Sequence, residues 1–292
     1  MSFISNLING LSLGSMYALI ALGYTMVYGI AKMLNFAHGD VIMVGAFTMF
    51  TAAATLKFSP AISIIAGIIV CTLLGVIIEK IAYKPLRKAS PLTVLITAIG
   101  VSYFLQSLAL LIFGSNQKSF PMLFNFEPIR VNEDLILKSD SLMTMGVTIL
   151  IMVALTLFIN KTKTGRAMLA VSEDKGAAEL MGVNVNKTIS ITFAIGSSLA
   201  AVAGLFFGLT YGFIGPYTGA MPGIKAFVAA VLGGIGNIPG AMLGGILLGV
   251  IENLSKAYIS TELSDAIVFA VLIIVLLVKP TGLMGKKINE KV

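Results

Sequence analysis

Long uncharged runs alternate with short charged segments from one end of the chain to the other. Met1–Ala31 carries no charge and is long enough for one membrane span. Val41–Leu56, Phe58–Ile78, Leu92–Phe113, Leu142–Ile159, Thr188–Leu209 and Ala266–Val278 follow as further apolar runs. Because the runs are continuous rather than alternating apolar and polar, they predict helices and not the strands of a membrane barrel. Gly10 and Gly14 in the first run form a small-xxx-small pair suited to close helix contact. The glycine-rich stretch Gly212–Gly249 is broken by Pro216, Pro222 and Pro239. It predicts two short helices meeting near Asn237–Pro239, with irregular backbone around Gly215–Gly223. Such backbone persists at membrane depth only when buried in protein or lining a polar cavity. With about nine apolar segments, one or two of them re-entrant, the expected fold is all-α. It is a polytopic membrane protein of about eight to nine membrane helices, some broken, forming a single domain over residues 1–292.

Two polar stretches interrupt this pattern. Gly114–Ser141 mixes Lys118, Arg130 and Lys138 with Glu127, Glu133, Asp134 and Asp140, and Ile129–Leu137 within it predicts a small hairpin. Asn160–Lys187 is the most charged interior stretch, with Lys161, Lys163, Arg166, Glu173, Asp174, Lys175, Glu179 and Lys187. It lies between charge-free runs, so it belongs in water, because charge at membrane depth is expensive. Inside it, Ala177, Leu180 and Met181 share a helix face. Ser172 reads as an N-cap with Glu173 and Asp174 in the first turn, and Gly182 as the terminating glycine. The expectation is a short amphipathic helix, Glu173–Met181, outside the bilayer. A helix so short is marginal alone in water. Either a partner's groove or the body of its own protein would support it.

Composition narrows the class. Charged residues make up 11% of the 292 and hydrophobic ones 57%, whereas soluble domains are about 25% charged. The net charge of +7 does not point to nucleic acid, since the basic residues sit in short loops between apolar runs. If Asn160–Lys187 is cytoplasmic, then so are Lys32, the loop at 79–91 and the tail from Lys279 onward. That side then holds fourteen of the twenty lysines and arginines. The positive-inside rule favours this orientation, with 114–141 external and the N-terminus outside. A single cysteine, Cys71, rules out an intramolecular disulfide framework and a cysteine metal cluster. The first basic residue is Lys32, so no cleavable signal peptide is expected.

The sharpest local motif is Asn35-Phe36-Ala37-His38-Gly39-Asp40. It reads either as a solvated polar turn beside Lys32 or as a helix break whose freed backbone groups face a buried site. Gly233–Gly240 has the wrong spacing for a dinucleotide loop and reads as close helix packing. Lys225, beside a glycine-rich break, could attract a carboxylate, but a lysine snorkelling to the outer surface is the preferred reading. There is no P-loop, no nucleophile with a base beside it, and no intramembrane carboxylate chain to carry protons.

The Asn35–Asp40 motif resembles the Asn-Phe-Ala-His-Gly-acidic signature of branched-chain amino acid ABC permeases, as does the preceding Tyr17–Tyr24. Ala177-Ala178-Glu179-Leu180-Met181-Gly182 is similar to the Ala-Ala-x-x-x-Gly core of the coupling loop of ABC importer permeases. The usual Glu before the alanines is Gly176 here, and the Ile-x-Leu-Pro after the glycine is absent. The fuller run from Gly165 to Val183 is similar to the branched-chain branch, and to its LivH-type subunit rather than the larger partner permease. The resemblance implies a non-enzymatic transport subunit without a cofactor, in a bacterial-type inner membrane. It also implies partners: a second, different permease, two ATP-binding cassette subunits and an external substrate-binding protein. Glu173, Asp174, Ala177, Ala178, Leu180, Met181 and Gly182 become candidates for ATPase coupling. Asn35, His38, Gly39 and Asp40 become candidates for the substrate pathway. An importer of urea or short amides with the same architecture, or an ion-coupled carrier working alone, are the alternative readings.

Overall fold

The computed structural model describes residues 3–124, 129–132, 135–137 and 139–285. Glu127, Glu133, Asp134, Lys138 and the tail lysines 286, 287 and 291 lie outside the described residues. The helices are α1 (Phe3–Ala31), α2 (His38–Phe50), α3 (Pro60–Ile78), α4 (Pro91–Phe113), α5 (Ser139–Lys161), α6 (Lys163–Glu173), α7 (Lys175–Leu180), α8 (Val185–Tyr211), α9 (Ala220–Gly233), α10 (Ile238–Tyr258) and α11 (Ser264–Val278). α2 continues through one wider π-type turn, Thr51–Thr55, and α3 through another, Glu79–Tyr83. Six helices, α1, α3, α4, α5, α8 and α10, are long and apolar enough to cross a membrane, and α9 and α11 are shorter apolar helices. With α2 they account for nine apolar segments among the described residues, as the hydrophobic pattern predicts. The predicted hairpin also forms, with Ile129–Asn132 antiparallel to Leu135–Leu137.

The chain divides into two compact units. The first comprises residues 1–25, 127–153 and 225–292. Its helices approach to backbone contact. A Cβ on Gly10 would lie 2.9 Å from Val250 Cα, and one on Gly14 2.7 Å from Ile246 Cα, so the first small-xxx-small pair packs against α10. Gly249 rests in turn on the backbone of Gly14, and Gly245 on that of Ala18. α9 and α10 meet where expected, but α9 already begins at Ala220, inside the stretch expected to be irregular, and α10, with 21 residues, is not a short helix. Asn237 caps α10, its Oδ1 accepting from Gly240 N at 3.0 Å while its Nδ2 donates to Met284 O at 2.9 Å. The turn before it uses two glycines with φ of +105° and +95°, Gly234 and Gly236, a conformation that L side chains adopt rarely.

The same unit encloses a charge network, which corrects the reading of Lys225 as a snorkelling surface lysine. Lys225 is buried, with its Nζ 2.8 Å from Glu252 Oε1 and 2.6 Å from Asp265 Oδ1. Lys256 Nζ reaches the same Glu252 oxygen at 2.5 Å, and Tyr17 donates its hydroxyl to Glu252 Oε2 at 2.9 Å. Two lysines face two carboxylates, so the group is neutral as a whole and each buried charge has a partner. That is the condition under which charge survives in low dielectric.

The second unit comprises residues 26–126 and 154–224. α2, α3 and α8 form its centre. A Cβ on Gly45 would lie 2.9 Å from Ala201 Cα, and one on Gly204 2.5 Å from Ile42 O. Cys71 donates its thiol to Val41 O at 3.4 Å. α4 lies alongside, with Phe113 stacked on Phe47 at a centroid distance of 4.1 Å. A two-stranded pairing of Lys118–Ser119 with Phe213–Ile214 joins the ends of α4 and α8.

This packing makes a clear distinction among glycines. Gly249→Leu should lower the thermal midpoint of the detergent-solubilised protein by an amount corresponding to about 1–3 kcal/mol, the usual cost of overpacking. Gly100→Leu should leave it unchanged, because nothing lies within 4 Å of a Cβ at Gly100. Equal shifts in a fluorescence-detected melting assay would contradict the α1–α10 contact.

Candidate functional site

The central loop folds as two helices, not one. Thr162 caps α6, accepting from Gly165 N at 2.9 Å. Gly165, Met168 and Val171 form its buried face. Gly165 sits against the backbone of Phe158 and Ile159, so the elbow between α5 and α6 leaves no room for a side chain. The predicted helix Glu173–Met181 is corrected at both ends. Glu173 closes α6, and α7 begins only at Lys175. Ser172 is not the cap; its hydroxyl donates backwards to Leu169 O at 2.7 Å. Asp174 is the cap, its Oδ1 accepting from Ala177 N at 2.9 Å. It outcompetes Ser172 because its extended backbone, φ −153° and ψ 115°, breaks the helical run there.

At its other end α7 stops at Leu180, one residue short of the expected bound, with Met181 as the cap, and Gly182 closes the turn as expected. Gly182 has φ +82°, Gly182 N donates to Glu179 O and Val183 N to Ala178 O, both at 2.9 Å. These two bonds are the Schellman pattern, which needs a left-handed residue at that position. Ala178 is turned inward and buried, whereas Ala177 is exposed and Leu180 and Met181 are 91% and 84% exposed. Two large apolar side chains therefore stand out from the most charged loop of the chain.

The Asn35–Asp40 segment is buried, not solvated. α1 ends at Ala31, and Lys32 takes a left-handed φ of +57°. Asn35, His38 and Asp40 are all at most 3% exposed. Tyr83 donates to Asn35 Oδ1 at 2.9 Å and to Leu34 O at 3.3 Å. Gln106 Nε2 donates to Asp40 Oδ1 at 2.9 Å. Gly39 lies within α2 and does not have a positive φ, so it is not needed as a turn residue. It is needed for space: a Cβ there would lie 2.5 Å from Gly219 O and 3.3 Å from Gly223 Cα. The break before α2 thus meets the break before α9 through two glycines.

Three basic segments gather at one end of this unit. Lys175 Nζ donates to Ala31 O at 2.9 Å. Arg87 bridges the buried Glu79 carboxylate and Asn186 Oδ1, and Ser190 donates to the other Glu79 oxygen at 2.6 Å. Burial, with Arg87 and Lys32 as neighbouring cations, holds the Lys175 ammonium below the usual lysine range. The structure brings the sequence-predicted residues into two places, the α7 loop and the Asn35–Asp40 break. It adds Tyr83, Gln106 and Lys175 as their partners. Tyr83 and Gln106 gave no local signal in the sequence, since Tyr83 lies in the turn after α3 and Gln106 in the apolar α4, each far along the chain from its partner. Among the described residues no group of His, Cys, Asp and Glu could hold a metal ion.

Residues 6–276 match the family model described as the branched-chain amino acid transport system / permease component. The chain is 48% identical to the high-affinity branched-chain amino acid transport system permease protein LivH of Salmonella typhimurium, over 99% of this chain and 98% of that one. It is 47% identical to LivH of Escherichia coli K12, with the same coverage of both chains. It is 45% identical to the corresponding permease protein BraD of Pseudomonas aeruginosa, over 99% and 98%. Among solved structures, PsaBC from Streptococcus pneumoniae in complex with Fab aligns with 94% of this chain and 91% of that one, at 14% identity and a TM-score of 0.49.

The glycine contacts set an expectation at the break. A Cβ on Gly67 meets the flexible end of Met49, which can move aside, whereas one on Gly39 meets backbone. Gly39→Val should therefore reduce solute uptake into proteoliposomes by about tenfold or more, and Gly67→Val by less than about threefold, the difference being one of ~1–3 kcal/mol of overpacking. Equal losses would remove the Gly39–Gly219 contact from consideration.

Proposed function

Because the chain belongs to the family of branched-chain amino acid transport system permease components, we propose that it forms a transmembrane half of an ABC importer for branched-chain or related small amino acids, with α7 as the coupling helix that docks on a separate ATPase. The observation that carries the reading is the exposure of Leu180 and Met181 on a helix closed at both ends by its own caps. Apolar side chains so presented in a charged loop fit a partner's groove. Ala177 adds a small residue beside them, and Gly182 turns the chain back toward α8. Glu173 and Asp174 at the α6–α7 joint complete the coupling surface. Ala178 contributes from beneath, by fixing α7 to its own protein.

The whole chain, 1–292, acts as one permease domain in the cytoplasmic membrane. It works with a second, different permease, two ATPase subunits and an external substrate-binding protein. The loop 160–187 faces the cytoplasm and 114–141 the outside. The gathering of Lys32, Arg87 and Lys175 at one end of the second unit supports that orientation, since the positive-inside rule concentrates such residues on the cytoplasmic side. Asn35, His38, Gly39 and Asp40 line the substrate pathway. What supports this is the meeting of two broken segments at Gly39 and Gly219, each followed by a short helix. Short helices beginning within the membrane direct their positive ends at anionic groups such as an amino acid carboxylate.

Two measurements test the reading. In liposomes holding the assembled complex with ATP and the binding protein, labelled leucine or valine should accumulate and labelled urea should not. Urea accumulation instead would reassign the solute. Leu180→Asp with Met181→Asp should weaken ATPase co-purification by a factor of about 30, equivalent to ~2 kcal/mol at an interface anchor. Normal co-purification would return α7 to an ordinary solvated loop. Separately, in a Cys71→Ala background, Asn116→Cys and Lys187→Cys should be labelled by an impermeant maleimide from opposite sides of the membrane. Labelling from one side would overturn the orientation.

A further inference from the structure

A side-chain hydrogen bond ties α7 to the end of α1. The first residue of α7, Lys175, extends to Ala31, the last residue of α1, and donates to that carbonyl at 2.9 Å. The final carbonyls of a helix have no partner within it, and the negative end of the helix dipole favours a cation. The amide of Lys32 closes on Tyr28 O at 2.9 Å, after which the left-handed turn at Lys32 takes the chain out of the helix and leaves Ala31 O for Lys175.

The surroundings argue that this contact is not incidental. A lysine on a water-facing loop would ordinarily extend into solvent. Lys175 instead lies partly buried, with two further cations, Arg87 and Lys32, beside it. An ammonium takes such a position only when something specific holds it. Beyond Ala31 the chain has little freedom. Tyr83 holds Leu34 O and Asn35 Oδ1, and four residues later Gly39 is seated on Gly219. At its other end Lys175 belongs to a helix of six residues with Asp174 fixed at one terminus and a Schellman turn at the other. A displacement of α7 moves Lys175 with it, and a pull on Ala31 is passed along a short tethered segment to Asn35–Asp40.

We propose that Lys175 is a positioning residue for transport, the tether through which movement of α7 reaches the broken segment between α1 and α2. This rests on α7 being the coupling helix and adds the route by which its motion leaves the loop. The tether acts after docking. Loss of the ammonium therefore separates hydrolysis from uptake without releasing the ATPase, whose chemistry is carried by another chain.

The test uses the assembled complex in liposomes and reads three quantities: ATPase co-purification, ATP hydrolysis rate, and solute taken up per ATP. Lys175→Met should keep co-purification and basal hydrolysis while uptake per ATP falls about fivefold or more, a coupling loss of the usual size. Lys175→Arg, which keeps a long cationic donor, should recover most of that loss. A purely structural role would move the thermal midpoint with the coupling ratio, and would not be rescued selectively by charge. If Lys175→Met does not fold, as judged by the thermal midpoint of the permease alone, Lys175→Gln, which is polar but uncharged and shorter, is read in its place. Normal uptake per ATP in the uncharged variants overturns the tether, as does loss of co-purification, which would make Lys175 a docking residue. The two proposals fail separately. Normal docking of the Leu180→Asp, Met181→Asp protein removes the coupling helix, whereas loss of docking there with normal uptake per ATP in Lys175→Met removes only the tether.

Discussion

Hydrocarbon offers no hydrogen-bond partner, and the rest of this structure follows from that constraint. Each backbone group at membrane depth must be satisfied inside its own helix or by a neighbouring one, and each charge must meet its opposite. Helices answer the first requirement only if they pack, and with lipid as apolar as leucine the attraction between them comes from close contact rather than from expelled water. Hence the backbone-to-backbone seams: Gly10 and Gly14 on α10, Gly45 and Gly204 between α2 and α8, Gly233 and Gly240 between α9 and α10. The second requirement is met at Glu252, which holds Lys225, Lys256 and the Tyr17 hydroxyl together.

The breaks are where the two requirements are hardest to reconcile. The chain leaves helical geometry at Lys32 and again after Tyr211. It does so where side chains and turns absorb the freed groups: Tyr83 on Leu34 O, and Thr218, whose Oγ1 accepts from Gly215 N at 2.6 Å. A helix end that is both buried and satisfied from outside its own helix is a point at which one element can act on another. The end of α1 is such a point, because its last carbonyl is answered by Lys175 from the charged central loop.

Much of this was legible in the sequence. The continuous apolar runs located the helices to within a few residues. Pro239 marked the junction before α10 because proline interrupts a helix interior but is tolerated in a first turn; that Asn237 caps α10 came from the structure. Gly182 announced the end of α7 for the same kind of local reason. What could not be read depended on partners distant in the chain. Lys225 looked like a snorkelling lysine because Glu252 and Asp265 come later in the sequence and on other helices. Asn35 and Asp40 could be read as solvated until Tyr83 and Gln106 were placed against them. The division of the central loop at Asp174 turned on which of two adjacent cap-forming residues broke the helix, a choice that backbone geometry made. Leu180 and Met181 were expected on the apolar face; their exposure belongs to the three-dimensional arrangement alone.

The neutral cluster around Glu252 also bears on how the chain enters a membrane. α9 has 14 residues, about 21 Å at 1.5 Å per residue, against a hydrocarbon core of about 30 Å. It carries Lys225, and a lysine at the centre of a span disfavours insertion by roughly 2.5–3.5 kcal/mol. α9 is therefore a poor lone span, and the carboxylates that answer its lysine, Glu252 and Asp265, lie behind it in the chain. The last three helices therefore have reason to enter as a bundle rather than one at a time, and the order of their charges along the chain becomes part of the instruction for biogenesis.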